Sequence, residues 1–160
     1  MRVDNWDTKL SNYIVEQSKT KFVRGKTDCV NFILGGIEVI IGRKVFDRQY
    51  KSLKEAKKIL KEFNKKDLLE IAQDIAKENN FEEINTSFAR RGDVVFLKTD
   101  EELGGTMGIC QGEYSIFKAK VGQERRYTHE DQQLSFSGDL GFEFVPDLQD
   151  KEIIWGKKTS

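Results

Sequence analysis

The chain has 160 residues, enough for one domain with a sizeable hydrophobic core. Lysine plus arginine and aspartate plus glutamate number 27 each, so no overall electrostatic field favours nucleic acid or a membrane surface as a partner. Charged residues make up 34% of the chain, more than usual, but eleven phenylalanines and two tryptophans argue against disorder. No apolar stretch reaches the roughly 20 residues of a membrane span, and the polar start MRVDNWDTKL does not resemble a signal peptide.

The chemistry-bearing side chains are few. There are two cysteines, Cys29 and Cys110, and one histidine, His129. Without an export signal a reducing compartment is the simpler assumption, so we expect no disulfide. These three side chains cannot fill a typical structural zinc site, and we predict neither a metal nor another cofactor. No linker, repeat or low-complexity tract divides the chain, so the sequence predicts a single domain over residues 1–160.

Four helices are predicted in the first half of the chain. Apolar periodicity predicts an amphipathic helix over 7–19 and a nearly continuous apolar helix over about 28–41, which we expect to be the buried central helix. Gly42 is a predicted C-cap. Ser52 and Asp67 are predicted N-caps of SLKEAKKILKEF and DLLEIAQDIAKE. Lysines crowd the outer faces of these two helices, which is typical of a solvated surface, with a nucleic-acid patch as the alternative.

After about residue 85 the pattern changes to short strands. GDVVFLKT, TMGICQG and EYSIFKAKV are predicted strands, the last two joined by a tight turn at Gly112 and Glu113. QQLSFSG and GFEFVP alternate with period two, and EIIWGKK closes the chain as a last strand. This order predicts an α+β fold in which N-terminal helices pack on a C-terminal antiparallel sheet.

The position of Cys29, directly after Asp28 at the start of the apolar helix, leaves two interpretations open. The first turn of a helix offers the positive end of the helix dipole and unpaired backbone N–H groups, which both favour a thiolate nucleophile. Such a nucleophile also needs a base, usually histidine, and a third polar group that orients it. Alternatively, Cys29 is a small buried hydrophobic residue. Cys110 lies within an apolar strand and is most simply a core residue.

The order DCVNF, RRGDVVFL and TMGICQG resembles the NlpC family of cell-wall cysteine peptidases, which has a papain-like fold. Over about residues 20–156 the chain also resembles small NlpC-like proteins encoded among phage tail genes. Shared features include a Tyr-x-Ser-x-x-Glu-Ala helix start, here YKSLKEA, and a closing segment, here FVPDLQDKEIIW. The resemblance implies a papain-like, NlpC-type core.

The resemblance assigns Cys29 to the nucleophile position, Gly92 and Asp93 to the turn into the first core strand, and Gly108 to the strand that carries the catalytic histidine. That histidine is expected two residues before Gly108, where this chain has Thr106. A threonine hydroxyl is no base near neutral pH, so the base position is lost. The next strand shows no evident orienting polar residue. A missing general base typically removes about 10²–10⁴-fold of rate.

His129 lies in the highly polar segment RRYTHEDQQ and is most simply an exposed loop residue. A displaced base for Cys29 is the alternative. The longer charged stretch, GQERRYTHEDQQ, is either a solvated loop or an insertion that grips a partner protein.

The resemblance and the lost base together favour a catalytically degenerate domain that is a structural or adaptor component of a phage tail or another virion part. Its expected partners are other phage structural proteins. Its expected location is the host cytoplasm during assembly and then the virion. Two alternatives stay open: an active cysteine hydrolase that cleaves peptidoglycan peptides with Cys29 as nucleophile, and an unrelated soluble binding domain. Neither nucleic acid nor a membrane is an expected partner.

Overall fold

The computed structural model describes residues 2–84, 89–99, 102–112, 114–118, 135–137, 142–146 and 151–156. The helices are α1 (Trp6–Ser18), α2 (Cys29–Ile41), α3 (Leu53–Glu62) and α4 (Leu68–Glu78). The strands are β1 (Glu82–Ile84), β2 (Val94–Lys98), β3 (Gly105–Cys110), β4 (Tyr114–Lys118), β5 (Ser135–Ser137), β6 (Phe142–Pro146) and β7 (Lys151–Gly156). The predicted α+β class is confirmed. In the described ranges, no helix is both long and apolar enough to cross a bilayer.

Local capping side chains set the helix boundaries. Asp28, Ser52 and Asp67 each accept a hydrogen bond from the backbone N–H three residues further on. The caps at Ser52 and Asp67 are those that the sequence predicts. Gly42 ends α2 with φ at +79°, a conformation that other residues rarely adopt. The central helix therefore begins and ends where its caps place it.

The described strands form one antiparallel sheet in the order β1-β7-β2-β3-β4-β6-β5. The central pair, β2 and β3, runs in register from Val94 opposite Ile109 to Lys98 opposite Gly105. β7 lies between β1 and β2, so the last described strand of the chain occupies an interior position. The sequence did not predict β1, because its residues, Glu-Glu-Ile, are too few to show a strand pattern.

The side chains of β3 alternate between two faces of the sheet. Met107 and Ile109 lie in the cluster that contains α2 residues Phe32 and Ile33. A Cβ atom at Gly36 of α2 would lie 2.6 Å from Ile109 Cδ1, so the missing side chain lets the helix approach the strand closely. The opposite face carries a second buried cluster, formed by Val95, Leu97, Cys110 and Phe117.

Two buried charged side chains attach the N-terminal part of the chain to the sheet. The Lys118 ammonium of β4 is fully buried and donates to the carbonyl oxygens of Gln17, at 2.6 Å, and Thr20, at the C-terminal end of α1. This burial lowers the pKa of Lys118. Arg2 donates to the fully buried Asp93 carboxylate at 2.9 Å, next to the start of β2. Both contacts satisfy groups that would be costly to bury without a partner.

Candidate functional site at the start of α2

The start of α2 is organised around the carboxylate of Asp28, which is fully buried. Its Oδ1 accepts the backbone N–H and the side-chain amide of Asn31, both at 3.0 Å. Its Oδ2 accepts the backbone N–H of Gly25 at 2.8 Å and the hydroxyl of Tyr50 at 2.5 Å. A carboxylate has about four acceptor positions, so these donors fill it.

Two loops meet at this carboxylate because Gly25 lacks a side chain. Gly25 has φ at +82°, and a Cβ atom there would overlap the carbonyl oxygen of Tyr50. Glycine is therefore required twice, for its conformation and for the close approach of the chain that enters α3. The glycine of the GKTDC segment consequently seats the loop before α2 against Tyr50.

Cys29 is the first residue of α2, as the sequence predicts, but its side chain is only 6% exposed. It lies on the buried stripe of the helix, whose described members are Cys29, Phe32, Ile33, Gly36, Ile37 and Ile40. A nucleophile for a large substrate would need an open approach to the sulfur. The low exposure instead fits the interpretation of Cys29 as a small buried residue.

Tyr50 is the main participant that sequence reasoning missed. It stands first in YKSLKEA, and neither helical spacing nor the resemblance gives it a role. Its pKa is raised well above the ordinary value of about 10, first by burial and then by the neighbouring Asp28 carboxylate, with a smaller contribution from Cys29. The phenol therefore stays protonated and serves as a hydrogen-bond donor.

Thr106 does not lie on the face of the sheet that α2 covers. It pairs with Leu97, a member of the second cluster, whereas its neighbour Met107 belongs to the cluster that includes α2. Because side chains alternate along a strand, a side chain at position 106 points away from the helix that carries Cys29. The structure thus does not bring Thr106 and Cys29 together.

The Oγ1 atom of Thr106 is buried and has no hydrogen-bond partner in the described part of the chain. An unsatisfied buried hydroxyl typically destabilises a fold by about 1–3 kcal/mol. This residue therefore lowers the stability of the sheet, and it lies on the face away from α2.

The other candidate residues have separate environments. Cys110 is fully buried in the second cluster, and its sulfur accepts the N–H of Gly112 at 3.4 Å. On β4, where an orienting residue was sought, Lys118 holds the end of α1. His129 lies outside the described residues. Within those residues, no group of three or more histidine, cysteine, aspartate or glutamate side chains could hold a metal ion.

A family model described as a domain of unknown function (DUF6950) matches residues 1–135. The matched range contains all four described helices and strands β1 to β4, and therefore the whole α2 start. No curated protein matches the chain.

Replacing Tyr50 by phenylalanine is expected to lower the free energy of unfolding by about 1.5–3 kcal/mol, because the lost hydrogen bond goes to a charged acceptor. The matched control is Tyr13→Phe, which removes a 2.8 Å bond to the neutral carbonyl oxygen of Phe32. We expect a loss of about 0.5–1.5 kcal/mol there. Urea unfolding of the three proteins measures both changes, and equal losses would contradict the central role of Asp28.

The same variant tests a pH dependence. Because the pKa of Tyr50 is raised in the folded state, its contribution to stability is fully present below the unfolded value of about 10 and is lost as pH rises above it. The difference in unfolding free energy between wild type and Tyr50→Phe should therefore shrink above that pH. A difference that stays constant or grows would exclude the buried phenol as its source.

Thr106→Val should raise the free energy of unfolding by about 1 kcal/mol, because it removes a buried hydroxyl without a partner while keeping the shape. Thr106→His, which restores the histidine that the resemblance expects, should destabilise the buried sheet and leave the alkylation rate of Cys29 unchanged. If histidine instead accelerated alkylation with a pH midpoint near its own pKa of about 6.5, position 106 would reach Cys29 after all.

Proposed function

The chain belongs to the DUF6950 family, and we propose that it is a non-catalytic domain with a papain-like core that serves as a structural or adaptor component of a phage tail or another virion part. The observation that carries the non-catalytic half of this proposal is the closed start of α2. Cys29 is 6% exposed, and the carboxylate beside it already accepts hydrogen bonds at all of its acceptor positions.

A cysteine hydrolase needs a proton acceptor near its thiol and an opening for substrate. Asp28 could take a proton only by giving up donors that hold the helix start. The Tyr50 phenol, whose pKa is raised, is a donor and not a base. Thr106 faces the other side of the sheet. These residues therefore favour a non-catalytic domain. The groups at the start of α2 stabilise the fold, whereas in a peptidase they would act on a substrate.

The contacts of the residues that carry the resemblance support a papain-like core. α2 packs closely on β3 through Gly36 and Ile109. The Gly-Asp turn precedes β2, with φ of Gly92 at +92° and the Asp93 side chain accepting the backbone N–H of Arg90 at 2.8 Å. A helix that starts with Asp-Cys, followed by a Gly-Asp turn and an antiparallel strand pair, is the arrangement that the resemblance implies. The phage part of the proposal rests on the resemblance of the residue order.

Alkylation of Cys29 by iodoacetamide across pH 5–9 tests the non-catalytic half. With Cys110→Ser as the protein under study and Cys29→Ser as control, we expect slow labelling that rises only near or above the ordinary thiol pKa of about 8.5. Fast labelling with a midpoint well below that value would identify an activated thiolate. Together with release of peptides from purified peptidoglycan, it would favour the cysteine hydrolase instead.

The adaptor half is tested on particles. Mass spectrometry of purified virions and tail subassemblies from the phage that encodes the chain should detect it at a constant ratio to the tail proteins. Its presence in infected-cell lysate together with its absence from every particle and subassembly would contradict a virion role.

A further inference from the structure

A groove of about 550 Å³ opens between α4 and the loop that follows α2, well apart in sequence from the α2 start. Its apolar lining consists of Val45, Phe46, Phe63, Ile71 and Ile75. This volume lies within the range of about 300–1,000 Å³ that is typical of binding pockets. The groove is therefore large enough to receive several side chains of a partner.

An exposed aromatic residue stands at the edge of this groove. Phe63, which follows α3, is 44% exposed, and its ring centroid lies 6.0 Å from that of Phe46. The guanidinium of Arg48 lies 5.6 Å from the Phe63 ring and is fixed by a 2.6 Å ion pair with Glu62. Aromatic residues and arginine are enriched in protein interfaces, where an apolar centre is surrounded by a polar rim.

The α4 wall of the groove carries excess negative charge. Asp74 and Glu78 line it, and Glu70 precedes them at the same helical spacing of four residues. Lys65 pairs with Asp74 at 2.7 Å. The pKa of Lys65 is raised by the hydrogen bond to Asp74, with further contributions from the charges of Glu70 and Glu78. Of these three carboxylates, only Asp74 forms an ion pair with a lysine or arginine within the described residues.

Glu78 is unfavourably placed for the stability of the isolated helix. It is the last residue of α4, where the backbone carbonyls already form the negative end of the helix dipole. It also lies four residues after Asp74, a spacing at which like charges repel. In the part of the chain that the structure describes, only the charge of Lys65, which is not in an ion pair with Glu78, offsets these repulsions, so the Glu78 carboxylate is available to a cation of a partner.

The facing wall does not carry a compensating excess of positive charge. Lys44 and Asp47 have opposite charges, and Arg48 is already paired with Glu62. The groove consequently combines an apolar floor with one acidic side, and its complement is an apolar segment with a basic flank.

We infer that this groove is the docking site for a short segment of a partner protein that inserts apolar side chains and places lysine or arginine beside Asp74 and Glu78. The inference rests on the proposed adaptor function and names the surface through which it would act. The partner segment is basic and amphipathic.

The test titrates the full chain with two fluorescent probes, a short amphipathic peptide of leucine and lysine and its counterpart with glutamate in place of lysine. We expect the lysine peptide to bind at least about tenfold more tightly, a ratio that corresponds to about 1.4 kcal/mol. Asp74→Asn with Glu78→Gln, and separately Phe63→Ser, should each weaken binding at least about fivefold, or about 1 kcal/mol. Amide chemical-shift changes should centre on the groove residues.

The matched control is Glu16→Gln with Glu102→Gln, which removes two exposed carboxylates outside the groove that are also paired with lysines. Its affinity should stay within about twofold of wild type. Glu78→Gln alone should keep or raise the thermal stability while weakening binding, which separates a docking role from a folding role. Equal binding of both peptides, or equal loss in control and groove variants, would overturn the inference.

Cys29 alkylation and peptide binding, measured on the same protein, test the proposed function and the docking site separately. An inert Cys29 together with a groove that shows no peptide preference would refute the docking site and leave the non-catalytic proposal standing. A reactive Cys29 together with groove-dependent binding would refute the non-catalytic proposal and keep the docking site.

Discussion

The junction of α2, the loop before it and the segment that enters α3 depends on the buried carboxylate of Asp28. A charged group without water is tolerated only when hydrogen bonds replace its hydration. Asp28 accepts them from the first turn of α2, from the loop before α2, and from Tyr50, which follows the C-terminal end of α2 in the chain. The three segments are consequently fixed relative to one another at a single point. From that point α2 extends across the sheet, and its contact with β3 holds the helical and sheet layers together.

The α2 start and the groove beside α4 differ in how their polar groups are used. At the α2 start, polar groups are turned inward and satisfied by one another, so that little is left to recognise a ligand. Around α4 and Phe63 the reverse holds, because a partly exposed aromatic ring and two carboxylates line an open groove.

Local features were predictable from the sequence, and pairings between distant segments were not. Ser52 and Asp67 cap their helices through groups three residues away, so short patterns suffice to find them. The side of the sheet that Thr106 faces depends on its register with Leu97, and motif spacing along one strand carries no such information. Tyr50 escaped notice for the same reason, since its partner lies 22 residues earlier.

The attachment of α1 to Lys118 has a consequence for biosynthesis. The carbonyl groups of Gln17 and Thr20 find their ammonium donor only 101 and 98 residues later, and β7 must still enter between β1 and β2. A nascent chain on the ribosome therefore carries helices that lack their sheet until β4 and then β7 have emerged. Contacts of such long range slow folding and prolong the exposure of apolar surface. Newly made protein should accordingly depend on chaperones more than its modest size suggests.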